Sequence, residues 1–173
     1  MKTSSSNALS LWVLPGLIAG VVFLLIALIA GALATSVWAM PDAIARVIGI
    51  AAPAGYSFAP VPVLVGVAVH LAFAIGLGAI FTAFVLWRRL HGWLLIVAAL
   101  IFVTIETATA IWVVMHNLLS ATTFQFYLGA VPLWGSVLGH YMYALTLALL
   151  LARNPVIAAW KPQQSANRLG ASE

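Results

Sequence analysis

The chain has 173 residues, of which 65% are hydrophobic and only 6% charged, with a net charge of +4 and no cysteine. A soluble domain carries about 25% charged residues, so a water-covered globule is excluded, and without thiols so are disulfides, thiolate metal sites and a cysteine nucleophile. The seven Lys and Arg residues are scattered rather than gathered on one face, which leaves no footprint for nucleic acid.

The charges that remain are unevenly placed. None lies between Lys2 and Asp42, none between Arg46 and Arg88, and over 90–152 the only one is Glu106. Apolar tracts of this kind are long enough to cross ~30 Å of hydrocarbon, which takes about 20 helical residues. Lipid offers no partner to unpaired backbone groups, so each crossing is a helix. The expected fold is an all-α integral membrane protein, a four-transmembrane-helix up-down bundle.

The first span is expected at about 11–37. Ala32, Leu33 and Ala34 resemble a signal-peptide cleavage site, but the preceding apolar run is longer than the ~7–15 residues of a signal sequence. It reads as a retained span. The loop that follows contains "PDAIARVIGI", with Pro41 and Asp42 placed as at a helix start and apolar Ile44, Val47 and Ile48. This predicts a short interfacial helix at about 41–50. The second span is expected at about 61–87, the third at 93–117 and the fourth at 131–152. A polar cytoplasmic tail takes up 154–173. Trp12, Trp38, Trp87, Trp93, Trp134 and Trp160 mark the span ends as an aromatic belt.

Lys2, Arg88, Arg89, Arg153, Lys161 and Arg168 fall on one side of this arrangement, and only Arg46 on the other. The positive-inside rule then puts both termini and the turn at 88–91 in the cytoplasm.

A shift of 70 residues aligns the second span with the fourth. Val61, Pro62, Val67, His70, Ala74 and Leu77 fall on Val131, Pro132, Val137, His140, Ala144 and Leu147, six identities in eighteen positions. A shift of 79 aligns Ala19, Phe23 and Ile26 with Ala98, Phe102 and Ile105. Two pseudo-symmetric helical hairpins are expected, related by an axis along the membrane normal.

His70 and His140 each lie nine residues into their spans, roughly 13 Å from the outer surface, and Glu106 lies at roughly 16 Å. Three ionisable groups on three helices thus share one layer. An isolated buried ion costs several kcal/mol, so each is expected to face the interior and find a partner. Gly66 and Ser136, each four residues before a histidine, leave room on the same face. Gly16 with Gly20, and Gly135 with Gly139, form GxxxG pairs suited to helix association.

Three uses of this layer are open. The polar groups can bond one another, or Thr104, Thr107 and Thr109, and simply hold helices together. The two histidines can be the axial ligands of a b-type haem, since neutral imidazole is a good iron ligand. Or the histidines and Glu106 can hold a non-haem metal or relay protons. His116 ends the third span, where the helix dipole favours it. Glu106, Thr109, Val113 and His116 also form a stripe that could lead a proton inward. His91 sits in the turn after Arg89 as a solvated residue. Tyr141 and Tyr143 flank His140 and need partners for their hydroxyls. No GxSxG, HExxH, GxGxxG or P-loop is present, and no carboxylate pair, so nothing points to an enzyme.

"AGVVF" in the first span, the loop helix "PDAIARVIGI", "VAVHLAFAIGLGAIF" and "LGHYMYALTLALLL" together resemble a family of short, four-span bacterial inner-membrane proteins. These are uncharacterised and often loosely labelled as transporter-like. The resemblance covers most of 16–151 and implies the topology and a bacterial origin. Members often carry a glutamate in the first span near the positions of Ala27 and Leu28; here Glu106 of the third span is the only intramembrane acid.

The functional expectation is a non-enzymatic accessory or structural subunit in the lipid bilayer, packed against other membrane subunits or a second copy of itself. The alternatives are a bis-histidine haem-b electron carrier through His70 and His140, and an ion or proton conductor. Glu106, His116, Ser136 and Thr109 are the further intramembrane polar candidates.

Overall fold

The computed structural model describes residues 5–109 and 116–158, and all regular structure there is helical. α1 (Ser5–Trp12) runs into α2 (Leu14–Ala34) through Val13, whose N–H still reaches the Leu9 carbonyl at 3.2 Å. Leu9–Ala34 is therefore one apolar stretch of 26 residues. Pro15 falls in the first turn of α2, where a missing N–H leaves no bond unmade. α3 (Ala39–Val47) follows a short turn. α4 (Pro60–Arg88) opens on Pro60 and Pro62 for the same reason as α2. It stops at Arg89, which takes a left-handed conformation at φ 52°.

Gly92, at φ 59°, then starts α5 (Trp93–Ala108). Beyond residue 115 come α6 (His116–Leu118) and α7 (Ala121–Ala130). α7 is capped by the Ser120 hydroxyl, which accepts from the Thr123 N–H. α8 (Leu133–Arg153) and α9 (Pro155–Ala158) complete the described chain.

Three of these helices are long and apolar enough to cross a bilayer: Leu9–Ala34, Pro60–Arg88 and Leu133–Arg153, with 26, 29 and 21 residues. The chain is thus an all-helical membrane protein. α5 is apolar but has 16 residues, a rise of about 24 Å. Residues 110–115 of the expected third span lie outside the described residues, as does the tail from 159, with Trp160, Lys161 and Arg168.

α2 lies between α4 and α8, and α5 packs on the far side of α8. Small residues let the backbones approach. A Cβ on Gly16 would lie 2.8 Å from the Ala74 carbonyl oxygen, and one on Gly78 would lie 2.6 Å from the Gly16 Cα. On the other side of α2, Gly135 is pressed against Ala30 and Gly139 against Phe23. Both GxxxG pairs are therefore occupied within the chain. Neither remains as a face for another subunit.

The expected two-fold does not carry through the packing. It would pair the α2–α8 contact with an equivalent α4–α5 contact. Among the described residues α2 and α8 pack along much of their length, whereas α4 and α5 touch little despite the short turn joining them. The turn end of the bundle is closed by an apolar core in which Phe81, Val85, Leu95, Leu147, Leu151 and Ile157 are fully buried, and Phe81 meets Phe102 at 5.2 Å.

The opposite end is closed differently. α3 begins at Ala39 rather than at 41. Ala39, Met40, Pro41, Asp42, Ala43 and Ala45 are all buried. The helix is wedged against α4 on one side and α7 on the other, and the Pro41 carbonyl sits where a Cβ on Gly66 would be. The space expected beside Gly66 is therefore filled by α3. The reason is complementarity of small residues: Ala39, Ala43 and Ala130 form one cluster under Tyr56, Phe126 and Tyr127. α3, the loop after it and α7 form a cap over the bundle.

Candidate functional site: an intramembrane His–Glu layer

About one turn of α4 from the cap, α4, α5 and α8 bring polar side chains to one depth around α2. Phe23 of α2 marks the place. Its ring stacks on His70 of α4 at 4.9 Å between centroids, with planes 25° apart, and meets His140 of α8 at 4.6 Å. One phenyl in contact with both imidazoles fixes them in the same layer. Gly139 makes this possible, because a side chain there would occupy the Phe23 ring position.

Each histidine is held by a carbonyl, and that fixes its tautomer. His70 Nε2 is 3.0 Å from the Gly20 carbonyl of α2. A carbonyl only accepts, so Nε2 carries the hydrogen and donates. His140 Nδ1 is 2.8 Å from the Ser136 carbonyl one turn back on α8. By the same argument Nδ1 is the donor there, and Nε2 is left with its lone pair or with a second proton.

Glu106 of α5 faces that nitrogen. Its Oε2 lies 3.9 Å from His140 Nε2, and the two side chains are 20% and 19% exposed. The Thr107 hydroxyl donates to the same oxygen at 3.4 Å. A lone pair and a carboxylate oxygen repel each other. A proton on either facing atom, the carboxyl or the imidazole, would make the two complementary. At 3.9 Å they are about an ångström beyond the reach of a direct hydrogen bond.

Other polar groups tie the helices together around this pair. The Tyr143 hydroxyl donates to the Ala74 carbonyl at 2.7 Å, which links α8 to α4. Thr104 bonds back to the Leu100 carbonyl at 2.8 Å and pairs with the Tyr141 hydroxyl at 3.0 Å, which links α5 to α8 beside a shallow apolar groove. Tyr127 of α7 comes down from the cap. Its pKa is pushed up to about 12 by burial and by the nearby Glu106 charge.

His70, His140, Glu106 and the Ser136 carbonyl thus meet in the layer, and Thr109 and His116 lie outside it. Thr109 caps α5 with its N–H on the Ile105 and Glu106 carbonyls, and its side chain is exposed. His116 is exposed and meets the edge of Phe124 at 5.4 Å. Val113, the middle of the expected stripe from Glu106 to His116, lies outside the described residues. Phe23 and Tyr127 were not singled out by the sequence. Only the alignment of Phe23 with Phe102 pointed at the first, and nothing pointed at the second.

The layer does not fit a b-type haem. Its iron would need one nitrogen from each histidine aimed at a common centre. Phe23 occupies the ground between the rings, His70 Nε2 is bound to Gly20, and His140 Nε2 faces Glu106. Nor do three His, Cys, Asp or Glu side chains converge as a metal site among the described residues.

Fold and layer define a class: a small helical membrane protein with an acid–imidazole pair inside it. Matched against family models, curated proteins and solved structures, the chain finds no counterpart.

Proposed function

We propose that the protein is a four-span protein of a bacterial inner membrane, with both termini cytoplasmic, and that it conducts protons through the Glu106–His140 pair. The apolar sequence at about 93–117, with Glu106 its only charge, supports a fourth crossing. The distribution of Lys and Arg supports the orientation. The observation that carries the function is the pair itself. In a stretch of 63 otherwise uncharged residues, 90–152, the one acid is set 3.9 Å from the one ring nitrogen left without a backbone partner on α8.

Intramembrane ionisable groups are costly and mark ion and proton paths. In the neutral state the proton rests on the Glu106 carboxyl. In the ion-pair state it rests on His140 Nε2, and Glu106 is a carboxylate. Exchange between these states needs only an approach of about an ångström between α5 and α8, bringing the atoms to proton-transfer distance.

The GxxxG faces that suit an accessory subunit are used inside the chain. The remaining exposed apolar side chains, such as Leu25, Ile29 and Leu33 on α2, are covered by lipid as well as by a partner.

The test is proton flux in proteoliposomes under an imposed pH gradient with a potassium ionophore. Flux above that of protein-free vesicles, lost in Glu106→Gln, is expected. Wild-type flux equal to the empty vesicles overturns the reading.

A further inference from the structure

We infer that Asp42 is a second proton-binding site, held as a neutral carboxylic acid inside the cap, and that loss of its proton drives α3 out from between α4 and α7. Asp42 is fully buried, and neither of its carboxyl oxygens has a hydrogen-bond partner among the described residues. A carboxyl in such a place is stable when paired with a cation or when protonated.

The cation nearest along the helix is Arg46, one turn on, and it is committed elsewhere. Its guanidinium donates to the Ala52 carbonyl and lies over the Phe126 ring, 3.7 Å from the centroid. Among the described residues it makes no ion pair with Asp42. The other ionisable groups on the elements around α3 offer no positive charge. Tyr56, in the loop after α3, donates to the Phe126 carbonyl at 2.7 Å. Tyr127 of α7 is a neutral phenol. His70 of α4 is bound to Gly20, His140 of α8 faces Glu106, and α2 carries no ionisable side chain. Burial accordingly lifts the Asp42 pKa above its ordinary 3.8, and the charge of Arg46 only partly opposes this.

The mechanical consequence follows from where α3 sits. Six of its nine residues are buried, and its Pro41 carbonyl presses on Gly66, one turn of α4 from His70. An ionised Asp42 in this wedge is an uncompensated buried charge, which costs several kcal/mol until water reaches it. The least disruptive relief is for α3 to lift out, which uncovers the cap side of the His–Glu layer. The seated cap binds the Asp42 proton more tightly than the lifted cap does. Seating is therefore most stable in acid and weakens as pH rises through the elevated value. This inference rests on the proton-conducting reading only for what α3 covers. The lifting of α3 is measured without reference to flux.

The experiment is hydrogen exchange on the full chain in lipid nanodiscs between about pH 5 and about pH 9, corrected for intrinsic exchange. Protection of 39–47 is expected to fall by about tenfold or more across that range, equivalent to one pKa unit, while α8 keeps its protection. Asp42→Asn, which is neutral at every pH, is expected to keep α3 protected throughout. Wild-type protection of α3 that does not change with pH overturns the inference, and so does an equal loss in Asp42→Asn. Should that variant fail to fold, the infrared carbonyl stretch of a protonated acid decides the matter. The chain has only three acidic residues. In Glu106→Gln combined with Glu173→Gln, a band present at neutral pH and lost reversibly in alkali supports the inference. Its absence at neutral pH overturns it.

Discussion

His70 and His140 stand at matching places in two aligned stretches of sequence, and the bundle gives them opposite roles. His70 Nε2 donates across to the backbone of α2, which leaves the ring no ionisable neighbour on that nitrogen. His140 satisfies itself on its own helix through Ser136 and turns its second nitrogen to Glu106. One imidazole clamps two helices together, and the other faces the one acid of the layer. Position in the membrane sets the cost of an ionisable group. What the group does is set by the atom facing its second nitrogen.

The largest expected effect breaks this contrast directly. Glu106→Gln removes the acid, and flux is expected to fall to the level of empty vesicles, about tenfold or more, as for loss of a transfer group. His70→Gln is expected to change it by no more than about threefold, because the amide still reaches the Gly20 carbonyl as a donor. Equal loss in both variants, measured side by side in proteoliposomes, would make the histidines functionally equivalent after all.

The contrast sharpens at the ring that separates the two. Phe→Ala in a core costs about 3–5 kcal/mol, and Phe23 is only partly buried, so Phe23→Ala is expected to cost about 2–3 kcal/mol. Thermal unfolding in mild detergent reads this. With Phe23 in place the purified protein is expected to show no Soret band when haem is added, and a band lost in His70→Ala would contradict the geometry. Gly139→Ala attacks the same contact from α8. The new methyl must push the Phe23 ring aside, at an expected cost of about 1–2 kcal/mol for overpacking. Nitrogen NMR of labelled histidine is expected to show His70 protonated at Nε2 and His140 at Nδ1 in their neutral forms. Identical tautomers would remove the contrast.

Much of the layer was legible in the sequence, and the reason is physical. Charges are so scarce between Arg46 and Arg88 and over 90–152 that His70, Glu106 and His140 stand out, and helix rise alone places them at one depth. Gly66 was the instructive failure. A small residue next to a histidine marks space, but sequence does not say what fills it, and here it is the Pro41 carbonyl from a helix 25 positions earlier. The loop helix was visible from Pro41 and Asp42, yet its burial was not. An amphipathic stretch at a membrane surface and a wedge lined by alanines share one pattern, and only tertiary contact with Ala130 and Gly66 separates them. The repeat was likewise visible as matched letters. It did not foretell that α2 and α8 would close tightly while α4 and α5 touched little, because Gly135 and Gly139, which seat α8 on α2, fall on Val65 and Val69 of α4.

The smallest expected effect concerns the one direct bond between the two histidine helices. Tyr143 lies one turn beyond His140, and its hydroxyl reaches the Ala74 carbonyl, one turn beyond His70, at 2.7 Å. This bond holds α4 and α8 in register across α2, and so keeps Phe23 between the imidazoles. Tyr143→Phe keeps the ring in the apolar core and deletes only the donor. A net hydrogen bond of this kind inside a membrane contributes about 0.6 kcal/mol, because the separated helices find other partners for their polar groups. Thermal stability should therefore drop only slightly. If α4 and α8 are independent of each other, the tautomer of His70 stays as it was in this variant. If the bond sets their register, the nitrogen signals of both histidines move together.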